Sequence, residues 1–148
     1  MTPRCFVDTN IVVYANDGAH RAKQQRAIEV IAGLMRRRAC VVSTQVLQEY
    51  ACTALGKLGQ APAAVLRQVA LFERQEVVQN SPGTLRRAIE LRAVHALSFW
   101  DALIVAAAEE ADCDVLLSED MGDGQTFGRV RVADPLQRDD WAGERAGR

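Results

Sequence analysis

The sequence predicts an α/β protein, a three-layer α/β/α sandwich with a small central parallel sheet. Short apolar runs alternate with amphipathic stretches of ten or more residues, which is typical of strands and helices in such folds. The runs are continuously apolar, as expected of strands that are covered on both faces. No repeat or composition break divides the 148 residues. We therefore predict one domain over 1–136 and a polar C-terminal tail over 137–148.

The individual elements follow from residue spacing. Apolar residues that recur every three or four positions predict helices, and Arg36–Arg38 and Pro62 suit a helix end and a helix start respectively. The predicted strands are Cys5–Val7, Cys40–Val42, Val77–Val78, Val115–Leu117 and Val130–Val132. The predicted helices are Arg21–Met35, a segment capped by Ser43 or Thr44, segments that begin at Pro62 and at Ser81, and Phe99–Glu110.

Composition excludes several classes of protein. Hydrophobic residues make up 49% and charged residues 25% of the chain, which is an ordinary globular balance. We see neither an apolar run long enough to span a membrane nor a signal peptide, so we expect a cytoplasmic protein with no membrane partner. The four cysteines lack CxxC spacing and are expected to be reduced core residues.

The charge pattern bears on nucleic-acid binding. A net charge of −1 argues against binding through bulk positive charge. Of the 18 basic residues, 16 are arginine, and the two lysines are Lys23 and Lys57. Arginine suits phosphate contacts, but a GC-rich genome explains the same bias.

Four carboxylates occupy comparable positions near the predicted strand ends: Asp8, Glu49, Asp101 and Asp120. Segments that follow parallel strands gather at one edge of the sheet, where ligands bind. Each acid also has a structural explanation: Asp8 as the N-cap of a helix that starts at Thr9, Glu49 as a solvent-facing helix residue, and Asp120 as part of an acidic loop. Asp101 forms a capping box with Ser98 in the same way.

Asp101 is the acid that such explanations account for least well. Its helix continues as Ala102–Ala108, apolar on every face and so expected to be buried. No Lys or Arg lies within one turn of Asp101, and a metal ion would supply the missing positive charge. Oxygen ligands select Mg²⁺ or Mn²⁺. His20 and His95 are not paired at ligand spacing, and His95 is expected to end a helix.

Four segments together resemble the acidic motifs of the PIN domain family, in particular the VapC-type toxins of bacterial toxin–antitoxin pairs. They are FVDTNIVVYA, STQVLQEY, LSFWDALIVAAA and LLSEDM, and the resemblance runs from about Arg4 to Pro135. It implies a Mg²⁺- or Mn²⁺-dependent ribonuclease whose metal-binding and catalytic acids are Asp8, Glu49, Asp101 and Asp120.

The same resemblance implies further features. Asn10 and Ser118 match polar positions that support the site, and Glu119 is an alternative to Asp120 as the fourth acid. It also implies an RNA substrate, a cognate antitoxin protein that covers the site, and a homodimer. There are two alternatives. The chain is either a free-standing RNA-processing nuclease or a non-catalytic RNA- or protein-binding domain of the same fold.

Two other protein classes fit less well. A haloacid-dehalogenase-type phosphatase also begins with a strand-terminal Asp but has a second Asp where this chain has Asn10. A receiver domain needs a lysine after a late strand, which this chain lacks. Tyr50 and Trp100 are expected in the core. Trp141 is a candidate for contact outside the core, with packing against its own chain as the alternative.

Overall fold

A six-stranded sheet forms the centre of the molecule. The computed structural model of the protein describes residues 3–141. The strands are β1 (Cys5–Val7), β2 (Cys40–Ser43), β3 (Glu76–Val78), β4 (Val115–Leu117), β5 (Thr126–Phe127) and β6 (Val130–Ala133). Their order across the sheet is β3-β2-β1-β4-β6-β5, and only the β5–β6 pair is antiparallel.

Helices connect these strands. They are α1 (Thr9–Ala15), α2 (Arg21–Arg36), α3 (Thr44–Leu55), α4 (Pro62–Glu73), α5 (Pro82–Val94) and α6 (Phe99–Glu110). The α/β architecture with a mostly parallel central sheet is therefore confirmed. Strand β5 was not predicted, because a two-residue strand has no period of its own and pairs only with the neighbouring β6.

The central strand β1 decides where a ligand can bind. Phe6 pairs with Val41 of β2 on one side and with Leu116 of β4 on the other. The chain leaves β1 towards β2 and β3 and later returns on the opposite side with β4. In parallel sheets, the crevice at such a reversal, beyond the carboxyl ends of the strands, is the usual ligand site. Asp8 is the first residue beyond that end of β1.

The core confirms most of the burial expected from the sequence. Tyr50 is fully buried, and every residue from Ala102 to Glu109 on α6 is buried. The prediction for Trp100 is wrong, because its side chain is 60% exposed. It lies in the first turn of α6, before that helix enters the core. Cys52 is likewise exposed, whereas the other three cysteines are buried, and all four are free thiols.

The segment after β6 packs back onto α2. Arg26 donates hydrogen bonds to the backbone oxygens of Pro135 (2.8 Å) and Arg138 (3.2 Å). Trp141 is buried and belongs to the core cluster, so it packs against its own chain. The predicted tail begins at 137, and its residues 142–148 lie outside the described residues.

An ion pair between the buried Glu109 and the partly exposed Arg87 anchors the end of α6. Glu109 accepts hydrogen bonds from Arg87 Nε (2.7 Å) and from the backbone N–H of Arg129 (2.9 Å). Burial alone would raise the pKa of Glu109, but these donors outweigh burial and hold the pKa below its ordinary value. Because Asp101 lies at the other end of α6, this pair also helps to fix the position of Asp101.

No single helix within residues 3–141 is long and apolar enough to cross a membrane. The pair α5 and α6 meets those criteria of length and composition only when taken together, and it is bent by 119° at the break.

Gly128 tests the importance of the Glu109 anchor. Its φ is +58°, and an added Cβ would collide with the Glu109 carboxylate. We expect Gly128→Ala to lower the free energy of unfolding by roughly 3 kcal/mol, because it combines the left-handed penalty with disruption of the hydrogen bonds to a buried carboxylate. Urea unfolding followed by circular dichroism measures the change.

Gly124→Ala is the matched control. Gly124 has a φ of +88° but open space around its Cβ position, so its cost should stay near 1 kcal/mol. Equal losses for the two variants would contradict the anchoring role of Glu109.

Candidate active site

A cleft of about 380 Å³ lies beyond the carboxyl ends of the central strands. Six acids line it: Asp8, Asp17, Glu49, Asp101, Glu119 and Asp120. The four acids selected from the sequence are therefore together on one surface, although they come from segments spread over more than a hundred residues. Sheet topology brings them together, since each follows a strand or occupies a helix that begins near a strand end.

Asp8 is the most buried of these acids. Its backbone N–H donates to the carbonyl of Leu117 (3.0 Å), which extends the β1–β4 pairing to the cleft. Its side chain caps α1 by accepting a hydrogen bond from the backbone N–H of Thr9 (2.7 Å). The N-cap role expected from the sequence is thus confirmed. Since the carboxylate is only 6% exposed, its charge is costly unless it is compensated.

Ser118 and Asn10 surround the second oxygen of Asp8. The Ser118 hydroxyl donates to Asp8 Oδ2 (2.8 Å), and the Asn10 amide nitrogen lies 3.4 Å from the same oxygen. That amide nitrogen also reaches Ser118 Oγ (3.2 Å) and Asp120 Oδ2 (3.1 Å). The Asn10 carbonyl oxygen accepts from the backbone N–H of Glu119 (3.2 Å). One side chain therefore links the segment after β1 to the segment after β4.

Burial raises the pKa of Asp8 to about 6. The hydrogen bonds from Ser118 and Thr9 oppose this shift, while the negative charges of Asp101 and Glu49 add to it. The shift shows that Asp8 is held in the anionic form at neutral pH against an electrostatic cost. A cation in the cleft would remove much of that cost.

Glu49 is held by two residues that the sequence reasoning did not select. Its carboxylate accepts hydrogen bonds from the Thr9 hydroxyl (2.6 Å) and from the Gln45 amide (3.3 Å). Gln45 also donates to the carbonyl of Trp100 (3.1 Å), so it connects α3 to the start of α6. The contact of Gln45 with Glu49 could have been predicted from the sequence, because residues four apart on a helix are neighbours. The contact of Thr9 with Glu49 could not, because the two residues are distant in sequence.

Asp101 lies in the first turn of α6. Its backbone N–H donates to the Ser98 hydroxyl (3.1 Å), so Ser98 caps the helix as expected. Partial burial raises the pKa of Asp101, the Ser98 hydroxyl lowers it, and the charges of Asp120 and Glu49 raise it further. The effects of Asp120 and Glu49 on Asp101 indicate that these acids interact electrostatically across the cleft.

Asp120 and Glu119 differ in their partners. Glu119 forms an ion pair with Lys23 Nζ (2.6 Å), whereas Asp120 accepts from Asn10 and faces Asp101 across the cleft. Glu119 is thus already neutralised by a lysine. Within residues 3–141, Asp120 has no such cation, which favours it as the fourth acid of the group.

The basic residues at the cleft were not assigned a role from the sequence. Lys57 and His20 line it, and Lys23 reaches it through Glu119. Both lysines of the chain are thus at the cleft, while none of the arginines of residues 3–141 lines it. His20 pairs with Asp17 (2.9 Å), and that hydrogen bond lowers the pKa of Asp17. His95 ends α5, as expected.

The donors at the cleft fit a hard divalent cation. Within residues 3–141, no basic side chain forms an ion pair with any of the four acids Asp8, Glu49, Asp101 and Asp120. Their oxygens are ligands of the kind that Mg²⁺ and Mn²⁺ prefer. Within the same residues, no three His, Cys, Asp or Glu side chains are grouped closely enough to hold an ion as they stand. Binding would therefore require the carboxylates to turn towards one another.

Comparison with known proteins places this fold in a family. Residues 5–125 match the model of the PIN domain, and this range contains all four acids. The chain belongs to the PIN domain family. The family assignment confirms the resemblance that the four sequence segments indicated.

Solved structures with this PIN fold include several toxins. A toxin–antitoxin complex from Klebsiella pneumoniae has a TM-score of 0.64 at 22% identity and covers 88% of this chain and 97% of that one. VapC20 of Mycobacterium tuberculosis, described as a sarcin–ricin-loop-cleaving toxin, has a TM-score of 0.62 at 21% identity, covering 86% and 98%. DNA-bound VapBC from Salmonella typhimurium has a TM-score of 0.63 at 19% identity, covering 90% and 98%. No curated protein matches this chain by sequence.

The raised pKa of Asp8 predicts a pH dependence of stability in this PIN domain. The folded-state pKa of about 6 lies above the ordinary aspartate value. The contribution of protonated Asp8 to the free energy of unfolding is therefore complete below about pH 4 and is lost as the pH rises through about 6. In the presence of a chelator, the free energy of unfolding of the wild type should fall between pH 4 and 7 by up to about 3 kcal/mol more than that of Asp8→Asn.

Urea unfolding at several pH values measures this difference. Asn retains an oxygen that can cap α1, so the variant is expected to fold. Parallel stability profiles for the two proteins would show that burial does not perturb Asp8 as described.

Proposed function

We propose that this PIN domain protein is a Mg²⁺- or Mn²⁺-dependent endoribonuclease and the toxin of a toxin–antitoxin pair. The observation that carries the proposal is the arrangement of Asp8, Glu49, Asp101 and Asp120 around one cleft. The charges of Asp101 and Glu49 raise the pKa of Asp8, and those of Asp120 and Glu49 raise the pKa of Asp101. None of the four acids has a basic partner among the described residues. The capping contact of Asp8 does not require three further acids in the same cleft, whereas a group of four suits the binding of a divalent cation and a phosphodiester.

The four acids divide two tasks in the proposed site. Asp8, Asp101 and Glu49 would hold the ion, which would offset the charge of the scissile phosphate and make water more acidic. Asp120 would hold a second ion or orient the attacking water. Thr9 and Gln45 hold the Glu49 carboxylate.

Other residues position these acids or the substrate. Ser118 and Asn10 fix the orientation of Asp8 through hydrogen bonds to one of its oxygens. Lys57 provides a positive charge at the edge of the cleft, where it can contact a neighbouring phosphate of the RNA. The acids alone would repel the RNA backbone, so both the cation and this lysine contribute to substrate binding.

The proposed partners are a cognate antitoxin and a second copy of the chain. Two fold neighbours are toxin–antitoxin assemblies according to their descriptions, which supports an antitoxin here. Exposed apolar side chains offer surfaces for protein contacts: Ile28 and Leu71 line a groove of about 260 Å³ between α2 and α4. Leu85 and Ile89 are also exposed on α5, and Trp100 is exposed at the start of α6. Co-purification with a small protein encoded next door, and the mass of the purified chain in solution, test these partners.

RNA cleavage tests the proposed activity. We expect Asp101→Asn to lower the rate by roughly 100-fold or more, because losing an ion ligand costs at least as much as losing a residue that orients one. Asp112→Asn is the matched control, since Asp112 follows the other end of α6 and is exposed. The readout is cleavage of structured and unstructured RNAs, with the ends sequenced after brief expression. Equal digestion by wild type and Asp101→Asn would contradict the proposal.

Thermal stability tests ion binding and distinguishes Asp120 from Glu119. Millimolar Mn²⁺ should raise the melting temperature of the wild type by roughly 5 °C, because the ion binds only the folded cleft and relieves repulsion among the acids. Asp120→Asn should reduce this shift, whereas Glu119→Gln should retain it, because Glu119 pairs with Lys23. A melting temperature that Mn²⁺ leaves unchanged would count against the ion site. The reverse order of the two variants would identify Glu119 as the ligand.

A further inference from the structure

A second cavity lies at the opposite edge of the sheet from the acids. It has a volume of about 430 Å³ and is bounded by the end of α2, the start of β2 and the end of α4. Arg4, Arg38 and Arg74 line it, together with Met35, Leu71 and Glu76. Each of the three arginines comes shortly before a strand (β1, β2 and β3), whereas Asp8 follows β1. A phosphate or other ligand group bound in this cavity therefore could not contact the acidic cleft at the same time.

The cavity has an excess of positive charge. Three arginines line it with a single carboxylate residue, Glu76, which is paired with Arg4. Over the described part of the chain, the side chains of Arg38 and Arg74 make no hydrogen bond or ion pair. Two of the arginines that line the cavity thus have guanidinium donors available to a ligand.

The backbone of Arg38 is a second and independent observation. Its φ is +55°, in the left-handed region. The chain turns here at the end of α2, with the Ala39 N–H bonded to the carbonyl of Leu34 (2.9 Å). Glycine is the usual residue at such a helix end, and another residue costs about 1 kcal/mol. The charge at the helix terminus does not require an arginine at this position, because Arg36 and Arg37 already supply it.

An unfavourable backbone that carries a side chain into a cavity is typical of a functional position. The other non-glycine residue with positive φ in residues 3–141 is Asp112, and aspartate tolerates this region better than arginine does. The free-energy cost of the left-handed backbone at Arg38 is accounted for if its guanidinium group binds a ligand.

We propose that this cavity binds a phosphomonoester. Two guanidinium groups present planar, bidentate donors that match phosphate oxygens, and their combined charge matches that of a phosphomonoester at neutral pH. Met35 and Leu71 provide an apolar wall against which the body of the ligand packs. The phosphate can come from a free nucleotide or from the 5′ end of an RNA. The proposal does not depend on the nuclease activity.

Binding to the full chain in a chelator tests the proposal, because the chelator prevents phosphate from binding through an ion in the acidic cleft. The probes are inorganic phosphate, adenosine monophosphate, and a short oligoribonucleotide with and without a 5′ phosphate, each titrated calorimetrically. We expect the monophosphate to bind more tightly than inorganic phosphate. Arg38→Gly and Arg74→Gln should each weaken binding about tenfold, the loss of a charge-assisted hydrogen-bond pair.

Arg38→Gly also provides a check on folding. Because glycine relieves the left-handed backbone, the melting temperature of this variant should equal or exceed that of the wild type. Arg37→Gln is the matched control, since Arg37 is an exposed neighbour that does not line the cavity, and it should bind as wild type does.

The outcomes separate the possible sources of the phosphate. Tighter binding of the 5′-phosphorylated oligonucleotide than of the monophosphate identifies an RNA end, and similar affinities identify a free nucleotide. Absence of binding of every probe at about 10 mM would overturn the proposal, as would wild-type affinity in Arg38→Gly. Equal affinity for inorganic phosphate and the monophosphate would overturn the role of the apolar wall.

Discussion

The pairing of β1 with a parallel strand on each side is the constraint on which the site depends. It leaves the residue that follows β1 at the bottom of the crevice, where Asp8 is almost fully buried. Burial raises the pKa of this carboxyl to about 6, which corresponds to about 3 kcal/mol of unfavourable free energy at neutral pH. Ser118, Thr9 and Asn10 offset part of that cost through hydrogen bonds, and so the same contacts that make the burial tolerable also orient the carboxylate.

The remaining acids depend on the same geometry. Glu49 and Asp101 lie on helices that begin near the carboxyl edge of the sheet, and Asn10 ties the segment after β1 to Asp120. Their charges accumulate in one place because parallel strands all end there. Stability alone would favour fewer acids at this edge, since like charges repel. The arrangement is understandable if a cation and a phosphate enter the cleft, and the family membership of the chain agrees with that use.

Much of the fold could be predicted from the sequence because its strands are continuous apolar runs and its helices are periodic. The acids could be selected because each has a recognisable place relative to a strand, and Asp101 because its helix is otherwise apolar. Contacts between distant segments could not be predicted in this way, as with the Thr9–Glu49 and Lys23–Glu119 pairs. Trp100 was misplaced because hydrophobicity alone does not show that the first turn of a buried helix can lie outside the core. Strand β5 was too short for its pattern to be distinguished from a loop.

The central claim is that the acids at this edge bind a divalent ion, and the anomalous diffraction of crystals grown or soaked with Mn²⁺ tests it most directly. The account predicts a peak within coordination distance of the carboxylates of both Asp8 and Asp101. A well-occupied Mn²⁺ peak elsewhere with this cleft empty, or no peak at saturating Mn²⁺, would contradict it.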